Sequence, residues 1–246
     1  MAERVILSGT GVTRRFGGLV AVNGVDFEVR EAEIFGLIGP NGAGKTTLFR
    51  LLSGVYRPSA GSIRLRGREV GGLPAHAMNA LGVATTHQIV RPFAEMTVRK
   101  NVLVGVEYGR SKLRGAAARA EVERILELMQ LAPHAETLGQ SLTLARRKRL
   151  EVARAVATRP DVLLLDEVAA GLNPTESALM VELIRTIRAS GVTVVMVEHV
   201  MKAIMSLSDR IMVMDLGRRI ALGVPAQIAN DPAVVTAYLG ERAVAS

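Results

Sequence analysis

An α/β fold with a largely parallel sheet, covered by helices on both faces, is what this 246-residue chain predicts. Three observations carry that expectation. Short, almost wholly apolar runs such as Val162–Leu165 and Val192–Val197 have the length and composition of strands buried on both sides. Segments with apolar residues at helical spacing alternate with them. One glycine-rich stretch follows such a strand and opens such a helix, the arrangement of a phosphate-binding loop.

Taken in order, Val5–Arg14, Leu19–Val29 and Ile34–Ile38 alternate or run apolar at strand length. A helix is expected over Lys45–Ser53, then strands at Ser62–Arg66 and Gly82–Thr86. From about Gln88 to Thr158 the spacing turns helical. Ala116–Leu131 sets Val122, Ile125, Leu126, Leu128 and Met129 on one side, and Leu144–Ala157 repeats the pattern with Leu144, Leu150, Val152, Ala153 and Val156. Strand–helix alternation then resumes: strand Val162–Leu165, helix Thr175–Ala189 closed by Gly191, strand Val192–Val197 and helix Val200–Leu207. Strands Arg210–Met214 and Arg219–Leu222 flank a turn at Leu216-Gly217, and Pro225 starts a further helix. Residues 1–246 read as one domain, with roughly 88–158 as a helical subdomain inserted into it.

Hydrophobic residues at 49% and charged residues at 22% are near the globular average, which argues against a disordered or fibrous chain. No apolar run approaches the roughly 18 residues of a spanning helix, and the first residues carry no basic-then-apolar export pattern, so a soluble chain is expected. With no cysteine there is no disulfide framework and no thiol chemistry. The formal charge of +8 admits an anionic ligand or surface. Aromatic residues at 3%, with no Trp, leave little to stack on bases, and the cations are dispersed except for Arg146–Arg149; no nucleic-acid partner is expected.

The stretch Gly39-Pro40-Asn41-Gly42-Ala43-Gly44-Lys45-Thr46-Thr47 fits G-x-x-x-x-G-K-[ST] between a strand and a helix. Glycines let consecutive backbone N–H groups converge on phosphate oxygens, and the helix N-terminus adds partial positive charge. Lys45 is expected to reach the β- and γ-phosphates and the Thr46 hydroxyl to ligate Mg²⁺. Downstream, four apolar residues deliver Asp166 and Glu167 at a strand end, where open α/β sheets bind ligands. Asp166 suits the Mg²⁺ shell and Glu167 a role in polarising an attacking water. His199 ends a neighbouring strand, where it can contact the γ-phosphate or its water. Gln88 follows the strand Gly82–Thr86 in the same manner, and its amide can touch Mg²⁺ or the water.

This order of phosphate loop, Gln88, helical insertion, Asp166-Glu167 and His199 resembles the nucleotide-binding subunits of ABC transporters over essentially the whole chain. Arg15–Val22, Phe93–Val98, Ala169–Pro174 and the ending Asp231–Val234 with Tyr238–Gly240 resemble, more narrowly, the ATPases of high-affinity branched-chain amino-acid importers. The resemblance implies an ABC-type phosphate-loop ATPase with an added antiparallel β part, using ATP and Mg²⁺, with Phe16 stacked on adenine. It implies a peripheral subunit on the cytoplasmic face of a bacterial-type membrane, with Gln88 and its neighbours against a transmembrane permease and an extracytoplasmic solute-binding protein in the complete system. Two such subunits would clasp two ATPs, each nucleotide completed in trans by a signature segment usually reading Leu-Ser-Gly-Gly-Gln.

Here that segment is Leu142-Thr143-Leu144-Ala145-Arg146. Thr143 keeps a hydroxyl, but both glycines are replaced, and Leu144 and Ala145 add atoms where backbone approaches phosphate. Arg146 either pairs with phosphate or belongs to a solvated basic face with Arg147, Lys148 and Arg149; the solvated reading is favoured because four adjacent charges cannot all face one ligand. Val168 for Pro, Asn173 for Asp and Val200 for Asp are smaller departures. A heterodimer with a sibling ATPase is therefore expected over a homodimer. Other readings are an amide or urea importer subunit, a lipid-export ATPase, a soluble ABC protein acting on ribosomes or DNA, and an ATP-binding regulatory module with weak hydrolysis.

Overall fold

The computed structural model of the protein describes residues 4–86 and 92–239. Strands β1 (Val5–Phe16) and β2 (Leu19–Arg30) form a hairpin, followed by β3 (Ile34–Ile38) and helix α1 (Lys45–Leu52). Next come β4 (Ala60–Leu65), β5 (Arg68–Glu69), α2 (Ala75–Ala80) and β6 (Val83–Thr85). Helices α3 (Val98–Tyr108), α4 (Gly115–Leu128) and α5 (Leu144–Ala157) intervene before β7 (Val162–Asp166). The chain then alternates through α6 (Pro174–Ala189), β8 (Thr193–Val197), α7 (Met201–Leu207), β9 (Arg210–Asp215) and β10 (Arg218–Gly223). It finishes with α8 (Pro225–Ala229) and α9 (Pro232–Leu239).

Two sheets result. An antiparallel one has the order β2-β1-β4-β5, and a six-stranded one has the order β10-β9-β3-β8-β7-β6. In the second, β9, β3, β8, β7 and β6 run parallel, and β10 is an antiparallel edge. The central strands β3 and β8 are buried at every residue, so their side chains divide by the two-residue period between two cores. Phe35, Leu37, Val195 and Val197 point with Val162 and Leu164 toward α1 and the antiparallel sheet. Ile34, Ile38, Val194 and Met196 point with Leu163 and Leu165 toward the helices of the opposite face, including α3, α4, α5 and α6. Because β3 pairs with β8 on one side and β9 on the other, chain direction away from β3 reverses at its end, which opens a crevice at the strands' C-terminal edge.

Three local departures from the sequence reading have physical causes. Strand β1 runs on to Phe16 because Phe16 pairs with Leu19 across a tight hairpin. Helix α2 escapes a periodicity reading: it has six residues and buries Met78 alone. Helix α4 stops at Leu128, short of the expected Leu131, because Gln130 takes a left-handed backbone (φ 51°) and the Leu131 N–H turns back to the Leu126 carbonyl.

One ion network ties α4 to the segment between α5 and β7. Buried Glu121 accepts from Arg124 Nε and Nη2, both at 2.9 Å, and from Arg159 Nε at 3.2 Å. The Arg124 hydrogen bonds, then Arg159, hold its carboxyl at about 2 against an ordinary 4.5. A depressed folded-state value stabilises the protein above the unfolded value, and that contribution is lost as pH falls from about 4.5 toward about 2. Glu121→Gln should cost about 2 kcal/mol at neutral pH, discounted because both arginines are half-exposed. Thermal melts across this pH range check it: the gap in Tm between native and variant should shrink below about pH 4.5 and close near pH 2.

Candidate nucleotide site

The glycine loop is set by contacts that exclude side chains. A Cβ on Gly39, whose φ is 149°, would stand 2.0 Å from the Met214 carbonyl of β9, and one on Gly44 (φ 97°) would stand 2.3 Å from the Ala21 carbonyl of β2. Gly44 is also the N-cap of α1, and no side chain caps that helix among the described residues. Its first N–H groups therefore face the crevice as anion donors. Ala43 closes the loop by donating to the Pro40 carbonyl, while Asn41 and Gly42 are exposed. Lys45 is buried, and its Nζ donates to the Gly39 carbonyl at 2.7 Å and the Pro40 carbonyl at 2.9 Å. Burial pushes its ammonium below the usual lysine range, and the Glu167 charge opposes that shift.

A cleft of about 510 Å³ opens over this loop. Residues 41–47 form its floor, Leu19, Val20 and Ala21 with Leu216 and Gly217 one wall, and Glu167 and His199 the other. His199 Nε2 donates to Glu167 Oε1 at 2.6 Å, since an ionised carboxylate only accepts. Asp166 ends β7, where its N–H donates to Thr86 Oγ1 at 3.0 Å. Burial raises its carboxyl, the Glu167 charge raises it further, and Arg50, His199 and Lys148 oppose the shift. The Asp166 and Glu167 carboxyls and the Thr46 hydroxyl are oxygen donors of the kind a hard divalent cation takes. Among the described residues no three acids or histidines converge into a cage that would hold a metal by protein alone. Such a set suits Mg²⁺, which keeps waters and shares phosphate oxygens. The glycine cradle, uncapped helix and carboxylate pair thus fit Mg²⁺ with a polyphosphate.

Glu167 is held in a conformation unusual for its type. Its φ is 50°, in the left-handed region, which costs about 1 kcal/mol or more. Its N–H donates to the Val197 carbonyl at 2.9 Å. Its own carbonyl accepts from Ala170 N–H at 3.2 Å and from Lys148 Nζ at 2.6 Å.

The structure brings Asn41–Thr47, Glu167 and His199 to one cleft, with Asp166 beside it. Gln88 lies outside the described residues. Phe16, 38% exposed, packs edge-on against Tyr56 with centroids 5.3 Å apart and lies under the Arg14 guanidinium; the cleft wall nearest it is Leu19–Ala21. Residues 142–146 are not among those lining the cleft. Leu142 and Ala145 are buried, Leu144 is 42% exposed and reaches Gly171, and Thr143 caps α5 by accepting from Arg146 N–H.

The expected solvated face of Arg146–Arg149 is corrected. Successive helical residues turn by about 100°, which separates them around α5. Lys148 is buried at 7% exposure beside Glu167, and Arg149 Nη1 donates to the Met129 and Gln130 carbonyls. The signal was in the sequence: Ala145, Lys148 and Val152 share one helical face, and the two apolar members are buried. The departures at 168 and 173 are accommodated too, Val168 by the core and Asn173 by a capping box with Glu176 at the start of α6. Leu19–Ala21, within the family-like segment Arg15–Val22, and the turn Leu216-Gly217 line the cleft, a role that nothing local to them marks.

Fold and site together define a nucleotide-binding α/β protein of the phosphate-loop class. Residues 22–170 match the family model described as ABC transporter, and residues 218–244 match the one described as branched-chain amino acid ATP-binding cassette transporter. Relatives include the high-affinity branched-chain amino acid transport ATP-binding proteins BraF of Pseudomonas aeruginosa, 45% identical over 97% of this chain and 99% of that protein, and LivG of Escherichia coli, 44% identical over 96% and 98%. The Nod factor export ATP-binding protein I of Burkholderia orbicola is 40% identical over 87% of this chain and 69% of its own length. Among solved structures, a nucleotide-free ATP-binding cassette of an ABC transporter superposes with a TM-score of 0.87 at 26% identity, covering 96% of this chain and all of that one. Another cassette, in its ADP conformation, gives 0.86 at 27%, covering 96% and 99%. The chain belongs to the ABC transporter family, as one of its ATP-hydrolysing cassettes.

Proposed function

We propose that this chain hydrolyses ATP to energise an importer of branched-chain amino acids, as a peripheral subunit on the cytoplasmic face of the membrane. The 2.6 Å contact of Glu167 with His199, in the same cleft as the glycine loop, carries the chemical reading. The solute rests on full-length similarity to named branched-chain amino acid transport subunits and on the matching segment 218–244; the export relative is less similar and spans less of the chain. No described helix is long and apolar enough to cross a membrane, so permease subunits would supply the pathway, with an extracytoplasmic solute-binding protein for capture.

In this reading the N–H groups of residues 42–47 and Lys45 bind the phosphates, Lys45 exchanging the Gly39 and Pro40 carbonyls for phosphate oxygens. Phe16 faces adenine. Thr46, Asp166 and Gln88 would hold Mg²⁺, whose positive charge would offset the negative charge on the phosphates. Glu167 takes a proton from the attacking water, and His199 Nε2–H fixes the carboxylate that receives it. The helices within residues 88–158 form the lobe facing the permease. A second cleft of about 280 Å³, lined by Thr85, Tyr108, Glu151 and Arg154 among others, flanks the strand end that leads to Gln88 and suits that contact.

Residues 142–146 act on a partner's nucleotide. Thr143 Oγ1 accepts from Arg146 N–H and keeps its proton to donate to a γ-phosphate. Leu144, 42% exposed, crowds the approach that a glycine would leave open, while Ala145 is buried in the chain itself. A sibling ATPase with a glycine-bearing signature would therefore complete the site built on Lys45.

Two outcomes follow. Glu167→Gln should bind ATP within about twofold of native and turn over about a hundredfold or more slowly in steady-state phosphate release. Turnover at the native rate removes Glu167 as the base. Phosphate release by the full chain should be slow alone and rise on mixing with the right sibling; full activity alone, undiminished by Thr143→Ala, rejects the heterodimer.

A further inference from the structure

The basic run after the signature segment hides one cation that the proposed chemistry has not used. Lys148 lies on α5 with 7% of its surface exposed, and its Nζ donates to the Glu167 carbonyl at 2.6 Å. Glu198, 2% exposed, precedes His199, and its Oε1 accepts from Ala169 N–H at 2.7 Å. Its second oxygen, Oε2, finds no hydrogen-bond partner among the described residues. Two buried charges of opposite sign thus bracket the turn that carries Glu167. Burial pushes the Lys148 ammonium down, and Glu198 is the strongest of the charges that keep it protonated, ahead of Glu151, Glu167 and Asp166. Burial pushes the Glu198 carboxyl up, and the Ala169 N–H and Lys148 pull it back.

A surface cation would add little here, whereas an ammonium in low dielectric makes a charge-assisted bond about twice as strong as a neutral one. That strength is set against a specific cost. The left-handed backbone of Glu167 persists only if its surroundings over-determine it. Main-chain groups supply two of its backbone bonds, Val197 and Ala170. Lys148 adds another from the side chain of α5.

We propose that Lys148 is a positioning residue for ATP hydrolysis: by gripping the Glu167 carbonyl from α5, with Glu198 as its buried counter-charge, it holds the 166–170 turn so that the Glu167 carboxylate faces the phosphate loop. This rests on the reading of Glu167 as the base. Lys148 is not among the residues lining the cleft over the glycine loop, so its loss slows turnover without weakening ATP binding.

The test compares Lys148→Met, Lys148→Arg and the double variant Lys148→Met/Glu198→Gln in the full chain, assembled with its sibling for kinetics. Gln keeps an acceptor for Ala169 N–H and leaves no unpaired buried charge, so the double variant still reads out if Lys148→Met alone fails to fold. Expected are a kcat lowered about tenfold or more in both Met-bearing proteins, KM for ATP within about twofold, and substantial recovery in Lys148→Arg. Amide exchange at Ala170, which donates to the same carbonyl, should quicken about tenfold in the Met-bearing proteins and return in Lys148→Arg. Native kcat with native exchange in either Met-bearing protein overturns the proposal, and so does loss of folding in both, which would assign the pair to stability. If Glu167→Gln retains turnover, the base reading fails whatever Lys148 does; if only Lys148→Met retains it, the base reading stands and the positioning role falls.

Discussion

Everything in this molecule depends on three buried parallel strands ending at one edge. The sides of β3, β8 and β7 are filled by two apolar cores, so none can shift by one residue without turning its whole buried face the wrong way. That rigidity carries to the strand tips. The end of β3 becomes the glycine loop, the end of β7 becomes Asp166-Glu167, and the end of β8 leads through Glu198 to His199. Parallel pairing of Leu37 with Val197 and of Asp166 with Val197 brings the three tips level across the crevice. Oppositely charged groups from segments more than a hundred residues apart thereby meet without any local sequence signal linking them.

How much of this was legible follows from which interactions are local. The glycine loop declares itself because its residue pattern lies within nine residues, although the carbonyls that leave no room for a Cβ at Gly39 and Gly44 come from Met214 and Ala21, far away in the chain. The acidic strand end was equally visible, since four apolar residues followed by two acids admit few other placements. Strand β1 was read nearly to its end, but its partners β2 and β4 and its bulged register were not, because pairing is set by contacts across the chain. Lys148 was misplaced for a different reason. Its neighbours are charged, and adjacency hid a helical face that Ala145 and Val152 bury. Helix α2 was too short to show a period at all.

The signature segment is where sequence and structure pull on the same question from two sides. Loss of both glycines suggests a weakened contact with a partner's nucleotide, yet the segment keeps the architecture of a helix start, with Thr143 as its cap. The helix it begins then runs past the chain's own Glu167 turn and grips it through Lys148. In the proposed dimer, this helix would face a partner's nucleotide with its first residues while its second turn holds the Glu167 carbonyl, giving one element a stake in both halves.

The central claim, that phosphate loop and acidic strand end confront one another across a nucleotide, is tested most directly by a structure of the Glu167→Gln chain assembled with its sibling in Mg²⁺ and ATP. The account predicts the γ-phosphate between Lys45 Nζ and the side chain at 167, the cation on Thr46 and Asp166, and the sibling's signature segment on the far side. A triphosphate seated elsewhere, or a 167 side chain turned away from it, would contradict the account.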